Sequence, residues 1–156
     1  MMKNLKFFFI FLFLFSCGYS PIYQTEQNSN FKFDKITFEG DKKVGRSIIR
    51  GIERLKNNQS TNVYDVNLIT SKRDSIATKD KKGNVSTYKL IIEVDINLKN
   101  KNNDKTFSKK FFKESTYNSM NNKFELNQYK LTEEKNMISQ ILQDMNIFFG
   151  IIRNDL

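Results

Sequence analysis

Five cations fall within eleven residues of this chain: Lys72, Arg73, Lys79, Lys81 and Lys82, with Asp74 and Asp80 as the only counter-charges among them. Such a segment attracts anions, and its ammonium and guanidinium groups suit charge-assisted hydrogen bonds to phosphate oxygens. The blander alternative is a solvated hairpin in a Lys-rich chain. Arg46, Arg50 and Arg54 form a second set, at i, i+4 and i+8 of a helix-like segment. That row suits phosphates or the wall of a protein partner. With Glu53 beside it, it also suits plain solvation. Covalent chemistry has little to work with. The chain has no His, which removes the commonest general base and metal ligand, and a lone Cys excludes a disulfide framework or a Cys-ligated zinc. No Gly-rich phosphate loop or G-x-S-x-G setting occurs, and no spacing pairs two carboxylates. Glu133-Glu134 reads as a helix-dipole or turn-solvating pair. These features point away from an enzyme and imply no metal and no cofactor.

The lone cysteine has a telling position. Lys3 and Lys6 give a positive start, and Phe7 to Phe15 (FFFIFLFLF) is an unbroken apolar run of nine. As helix it spans about 14 Å, well short of the ~30 Å hydrocarbon core, so it reads as a secretory leader and not a membrane span. It ends in Leu14-Phe15-Ser16-Cys17. This is similar to a bacterial lipobox, with an aliphatic residue three before the Cys and a small residue one before it; Phe15 is the departure. The similarity implies cleavage after Ser16 and covalent lipid on Cys17. Two or three acyl chains, at about 0.8 kcal/mol per buried methylene, would hold the protein on a membrane almost permanently. Gly18 in place of Asp implies export to the outer membrane.

The whole chain has 156 residues and 26 basic against 17 acidic groups. Without residues 1–16, and so without Lys3 and Lys6, 140 residues carry a net charge of +7. That length makes one domain. The charge favours anionic partners, although 21 Lys, 19 Asn, 16 Ile and a single Ala also suggest drift in composition. Export makes nucleic acid the wrong anion.

The expected organisation is a leader over 1–16, a lipidated N-terminus and polar tether over 17–30, and a single domain over 31–156. Phe31 to Glu39 alternates with a slip around Asp34-Lys35, which predicts a short bulged or edge strand. Val44 to Leu55 has helical period, with Ile48, Ile49, Ile52 and Leu55 on one side. Thr61 to Thr70 alternates, and Ser71 to Asn84 then reads as a polar segment ending in a turn. Tyr88 to Leu98 is apolar at strict period two and predicts a strand with one core face and one wet face. Lys99 to Asp104 reads as a hairpin loop, and Phe107 to Tyr117 as an edge strand. Ile138, Ile141, Leu142, Met145, Phe148, Phe149 and Ile152 make the apolar stripe of a long terminal helix. The sum is an α+β two-layer sandwich: about four mostly antiparallel strands with two helices on one face.

Cys17-Gly18-Tyr19-Ser20-Pro21-Ile22-Tyr23 resembles the C-G-[FY]-x-P-[LI]-Y start of the LPS-assembly lipoprotein family, LptE. Shorter similarities follow in family order: Gly45-Arg46 near a helix start, the Asp80-to-Asn84 turn leading into Val85-Ser86-Thr87-Tyr88-Lys89-Leu90, and Ser115-Thr116-Tyr117-Asn118 before the terminal helix. The helix departs from the Ala-rich family pattern through its Met, Ile and Phe residues. The resemblance implies a non-enzymatic outer-membrane lipoprotein on the periplasmic side. It would plug and help assemble the β-barrel LptD and contact lipopolysaccharide on its way to the outer leaflet. For lipopolysaccharide the candidate residues are then Lys72, Arg73, Lys79, Lys81 and Lys82; for the barrel wall they are Arg46, Arg50 and Arg54. A periplasmic lipid-transport auxiliary shares anchor, size and fold class and is the alternative, followed by a pilot lipoprotein for a secretion channel. Intact-mass spectrometry of membranes checks the anchor: wild-type protein should lack 1–16 and carry added lipid mass, whereas Cys17→Ala should remain unprocessed and unlipidated.

Overall fold

The computed structural model describes residues 31–154. The leader, Cys17 and the tether lie outside them. The elements are β1 (Lys32–Gly40), α1 (Lys42–Glu53), β2 (Val63–Lys79), β3 (Val85–Asn100), β4 (Thr106–Asn118) and α2 (Lys123–Asn154). One sheet has the order β1-β2-β3-β4. β1 runs parallel to β2, and the remaining pairs are antiparallel. This is the predicted α+β fold with a mostly antiparallel sheet.

The strand pattern decides where the helices go. In β2, Tyr64, Val66 and Leu68 point to one face; β3 adds Leu90, Ile92, Val94, Ile96 and Leu98, all buried. Residues between them face the other way, so one side of the sheet is greasy and the other wet. α1 places Val44, Ile48 and Ile52 on the greasy side, and α2 adds Met137, Ile138, Ile141, Met145, Phe149 and Ile152. The two helices cross closely at Gly51, where a Cβ would lie 2.3 Å from a Leu142 methyl. At the base of this layer Phe31 packs on Tyr64 and Phe149, with ring centroids 5.2 and 5.3 Å apart.

Local signals explain the ends. The register slip between Phe33 and Ile36 is the bulge foreseen at Asp34-Lys35, and β1 and β4 are the sheet edges. Gly40 has φ +95°, and a Cβ there would lie 1.8 Å from the Thr70 carbonyl oxygen. Only glycine lets the chain turn this close to β2. Asp41 then caps α1, its Oδ1 accepting from the backbone of Lys43 at 3.0 Å and Val44 at 2.9 Å.

The 71–84 segment corrects the sequence reading. β2 does not stop at Thr70 but runs to Lys79, pairing from Ser71↔Glu93 to Lys79↔Val85. Only Asp80 to Asn84 forms the turn. Cross-strand hydrogen bonding to β3 supplies the order that this polar stretch lacks as a pattern. The one-sided core makes a sharp prediction: Ile141→Ala should destabilise by about 2 to 5 kcal/mol in urea unfolding. Ile147→Ala, on an exposed side of α2, should stay within about 0.5 kcal/mol.

Candidate anion-binding site

The five cations of the 72–82 segment do not form one patch. Lys72 projects toward the helices, where its Nζ stands 3.6 Å from Asp41 Oδ2 and 3.5 Å from Glu134 Oε2. Arg73 projects to the opposite face and pairs with Glu93 at 2.6 Å. Lys79 ends β2, and Lys81 and Lys82 stand in the turn beyond it. The extended strand therefore separates Lys72 and Arg73 from the tip that was expected to hold all five.

The tip has a defined shape. Asp80 Oδ1 accepts from the Lys82 and Asn84 backbones at 2.8 and 2.9 Å, and Oδ2 accepts from the Asn84 side chain at 3.1 Å. Gly83 supplies the positive φ of +84° that the turn needs. Hydrogen bonds from the Asn84 side chain and backbone hold the Asp80 carboxyl below its usual range. Its negative charge is thus spent on the turn, while Lys79, Lys81 and Lys82 are exposed and without a carboxylate partner among the described residues.

The arginine row does lie together. Arg46 and Arg50 are exposed on the outward side of α1, and Arg54 is its C-cap residue. Arg50 donates weakly to Ser47 Oγ at 3.4 Å. None of the three is paired with a carboxylate among the described residues. Most lysines of the sheet behave otherwise: Lys89, Lys99, Lys110 and Lys113 each face an acid within 3.2 Å.

The structure also shows a charged cluster that sequence reasoning missed. Glu134 is not a helix-end or turn residue; it lies inside α2 and is 2% exposed. Lys43 Nζ approaches its Oε1 at 3.0 Å as an ion pair, without hydrogen-bond alignment. Lys72 holds the other oxygen and also reaches Asp41, so α1, β2 and α2 meet at one set of charges. The signal was available: Glu134 precedes Ile138 by four and Ile141 by seven, on the apolar stripe itself. A second missed group is Tyr117, whose hydroxyl donates to Asp74 at 3.0 Å. Burial, and then the Asp74 carboxylate beside it, push the phenol pKa up.

No family model matches the chain, and no curated protein matches it in sequence. Solved structures do. Rare lipoprotein B from Shewanella oneidensis superposes with a TM-score of 0.55 at 18% identity, over 77% of this chain and 99% of that one. The fold is that of rare lipoprotein B. A chain named as a lipoprotein from Caulobacter crescentus gives 0.55 at 14% identity, covering 81% and 92%. A minor lipoprotein from Acinetobacter baumannii gives 0.50 at 11%, covering 76% and 94%. The rare lipoprotein B fold thus agrees with the resemblance that begins at Cys17.

Asp41 gives the site a pH dependence. Burial alone would raise its pKa, but hydrogen bonds from the Val44 and Lys43 backbones and the charge of Lys72 outweigh it and leave the carboxyl below its usual range. A depressed folded-state pKa stabilises the fold above the unfolded value of about 3.9, and that contribution is lost as pH falls through the folded value. Asn caps helices as well as Asp does but does not ionise. Asp41→Asn should therefore show a smaller drop in melting temperature than wild type between about pH 6 and pH 2.5.

Proposed function

We propose that this chain is a non-enzymatic, lipid-anchored lipoprotein of the outer membrane, of the LPS-assembly family. On this reading it seats in and helps assemble the lipopolysaccharide-translocating β-barrel and assists insertion of lipopolysaccharide into the outer leaflet. The observation that carries the reading is the coincidence of two independent features: the Cys17-to-Tyr23 motif and a rare lipoprotein B fold in the residues that follow it.

Physical features favour the same reading. A sheet with one dry face and one wet, charge-laced face can stand in a water-filled barrel, because lumen-facing barrel residues are polar. The anchor on Cys17 would hold the domain beside the barrel and raise its effective concentration there. Lys79, Lys81 and Lys82 carry the lipopolysaccharide contact, since their charge is not spent within the chain. Lys72 and Arg73 belong to the same assignment but are engaged by acids, and they contribute less. Arg46, Arg50 and Arg54 form the contact with the barrel wall, where an outward guanidinium row can take carboxylates bidentately.

These two classes of lysine give the test. A basic residue at an anionic lipid surface is worth about 1 kcal/mol, so the triple change Lys79→Gln, Lys81→Gln and Lys82→Gln should weaken lipopolysaccharide binding by about 100-fold. The melting temperature should not move. Lys72→Gln should do the reverse, lowering the melting temperature with little effect on binding. Unchanged lipopolysaccharide affinity in the triple variant would remove the tip from the assignment.

A further inference from the structure

The glycines of the two helices are not alike. At Gly45 a Cβ would meet the Phe38 ring at 2.4 Å, and at Gly51 a Leu142 methyl at 2.3 Å, so close packing requires both. At Gly150, near the end of α2, no atom of the described residues lies within 4 Å of a Cβ. A glycine inside a helix lowers its stability relative to alanine, and no neighbour in the described fold gives a reason for this one. Beside it stands Ile151, 52% exposed, with Ile147 at 64% one turn before. Residues 147, 150 and 151 share one side of the helix, at i, i+3 and i+4. An isolated exposed isoleucine needs no explanation. Two that flank bare backbone form an apolar notch that suits a flat side chain.

The chain enters the fold at this end of α2. Phe31 is buried, its ring 5.3 Å from that of Phe149, and its carbonyl accepts from the Asn57 backbone at 2.8 Å. Before it come seven polar residues, Gln24 to Asn30, and before those Tyr19, Pro21, Ile22 and Tyr23 within a run of five. Seven residues reach up to about 23 Å at ~3.3 Å each. Half the girth of a helix about 11 Å across is about 17 Å. Tyr23 therefore has the length of chain to reach any side of the last turns of α2.

We propose that the Tyr19–Tyr23 segment docks on this side of α2, with the Tyr23 ring laid on the Gly150 backbone against Ile151 and with Ile147 at the rim. A ring approaches a helix this closely only where no Cβ stands in the way, which gives Gly150 its role. The contact buries apolar surface on both partners. The short polar spacer makes it an intramolecular association at high effective concentration. The consequence is an orientation. Undocked, the fourteen residues from Cys17 to Asn30 give the anchor a reach of about 46 Å; docked, the six from Cys17 to Ile22 leave about 20 Å. β2 begins beside Phe31, where Val63 pairs with Lys32, and ends at Lys79, about 50 Å away at ~3.3 Å per residue. Docking keeps the anchor at the end of the fold opposite the tip. This consequence rests on the lipid at Cys17 proposed above; the docking itself does not.

Disulfide trapping in the full mature chain, extracted in mild detergent, tests it. Ile22→Cys with Ile147→Cys leaves Tyr23, Gly150 and Ile151 in place. Ile22→Cys with Asn146→Cys is the control, exposed at the same level of α2 but turned about 100° away. Under a mild oxidant the first pair should bridge within one chain about tenfold faster than the second. Gly150→Leu added to the first pair should bring its rate down to that of the control. A leucine has room there and is the better helix former, so the fold should survive. Mass spectrometry maps the bridge and reads the lipid on Cys17 in the same sample, so a missing anchor and a missing contact give different results. Equal rates for the two pairs would overturn the inference. So would a bridge formed mainly between two chains, or a rate that Gly150→Leu leaves unchanged.

Discussion

The three long strands bury one face only, and nearly everything else follows from that constraint. Because Leu90, Ile92, Val94, Ile96 and Leu98 all point the same way, both helices must pack on that side. The parallel β1–β2 pair needs a crossover, and α1 supplies it across the same face. The second face is left to water, and its charges pair with one another along the strands. A sandwich built this way presents three different surfaces: the outward sides of the helices, the wet sheet face, and the hairpin tip beyond the helical layer.

Charge is divided among those surfaces by use. On the sheet, Lys89 and Lys110 face acids across strands. At the junction of α1, β2 and α2, Lys43 and Lys72 compensate the buried Glu134, because a carboxylate taken out of water needs a cation nearby. On the outer side of α1 and at the tip, arginines and lysines have no acid to meet. A net charge of +9 therefore overstates how widely the molecule attracts anions. The attraction is concentrated where the cations remain unpaired.

Much of this was legible in the residues. Period-two alternation located β3, a phase slip announced the bulge in β1, and the apolar stripe from Ile138 to Ile152 marked α2. The polar end of β2 was not legible. Ser71 to Lys79 holds Ile76 as its one large apolar residue, and its strand character comes from pairing with β3, which no local pattern records. That gap misplaced Lys72 and Arg73, since a residue in a strand must point to one face or the other and a loop residue need not. The parallel pairing of β1 was equally invisible, being a property of topology.

The central claim is that this fold works inside an outer-membrane barrel. The most direct measurement is a mild-detergent pull-down of the tagged full-length protein from its own membranes, with co-purifying chains identified by mass spectrometry. The account predicts a stoichiometric large β-barrel. Recovery of inner-membrane transporter subunits in its place would contradict it and favour a lipid-transport auxiliary.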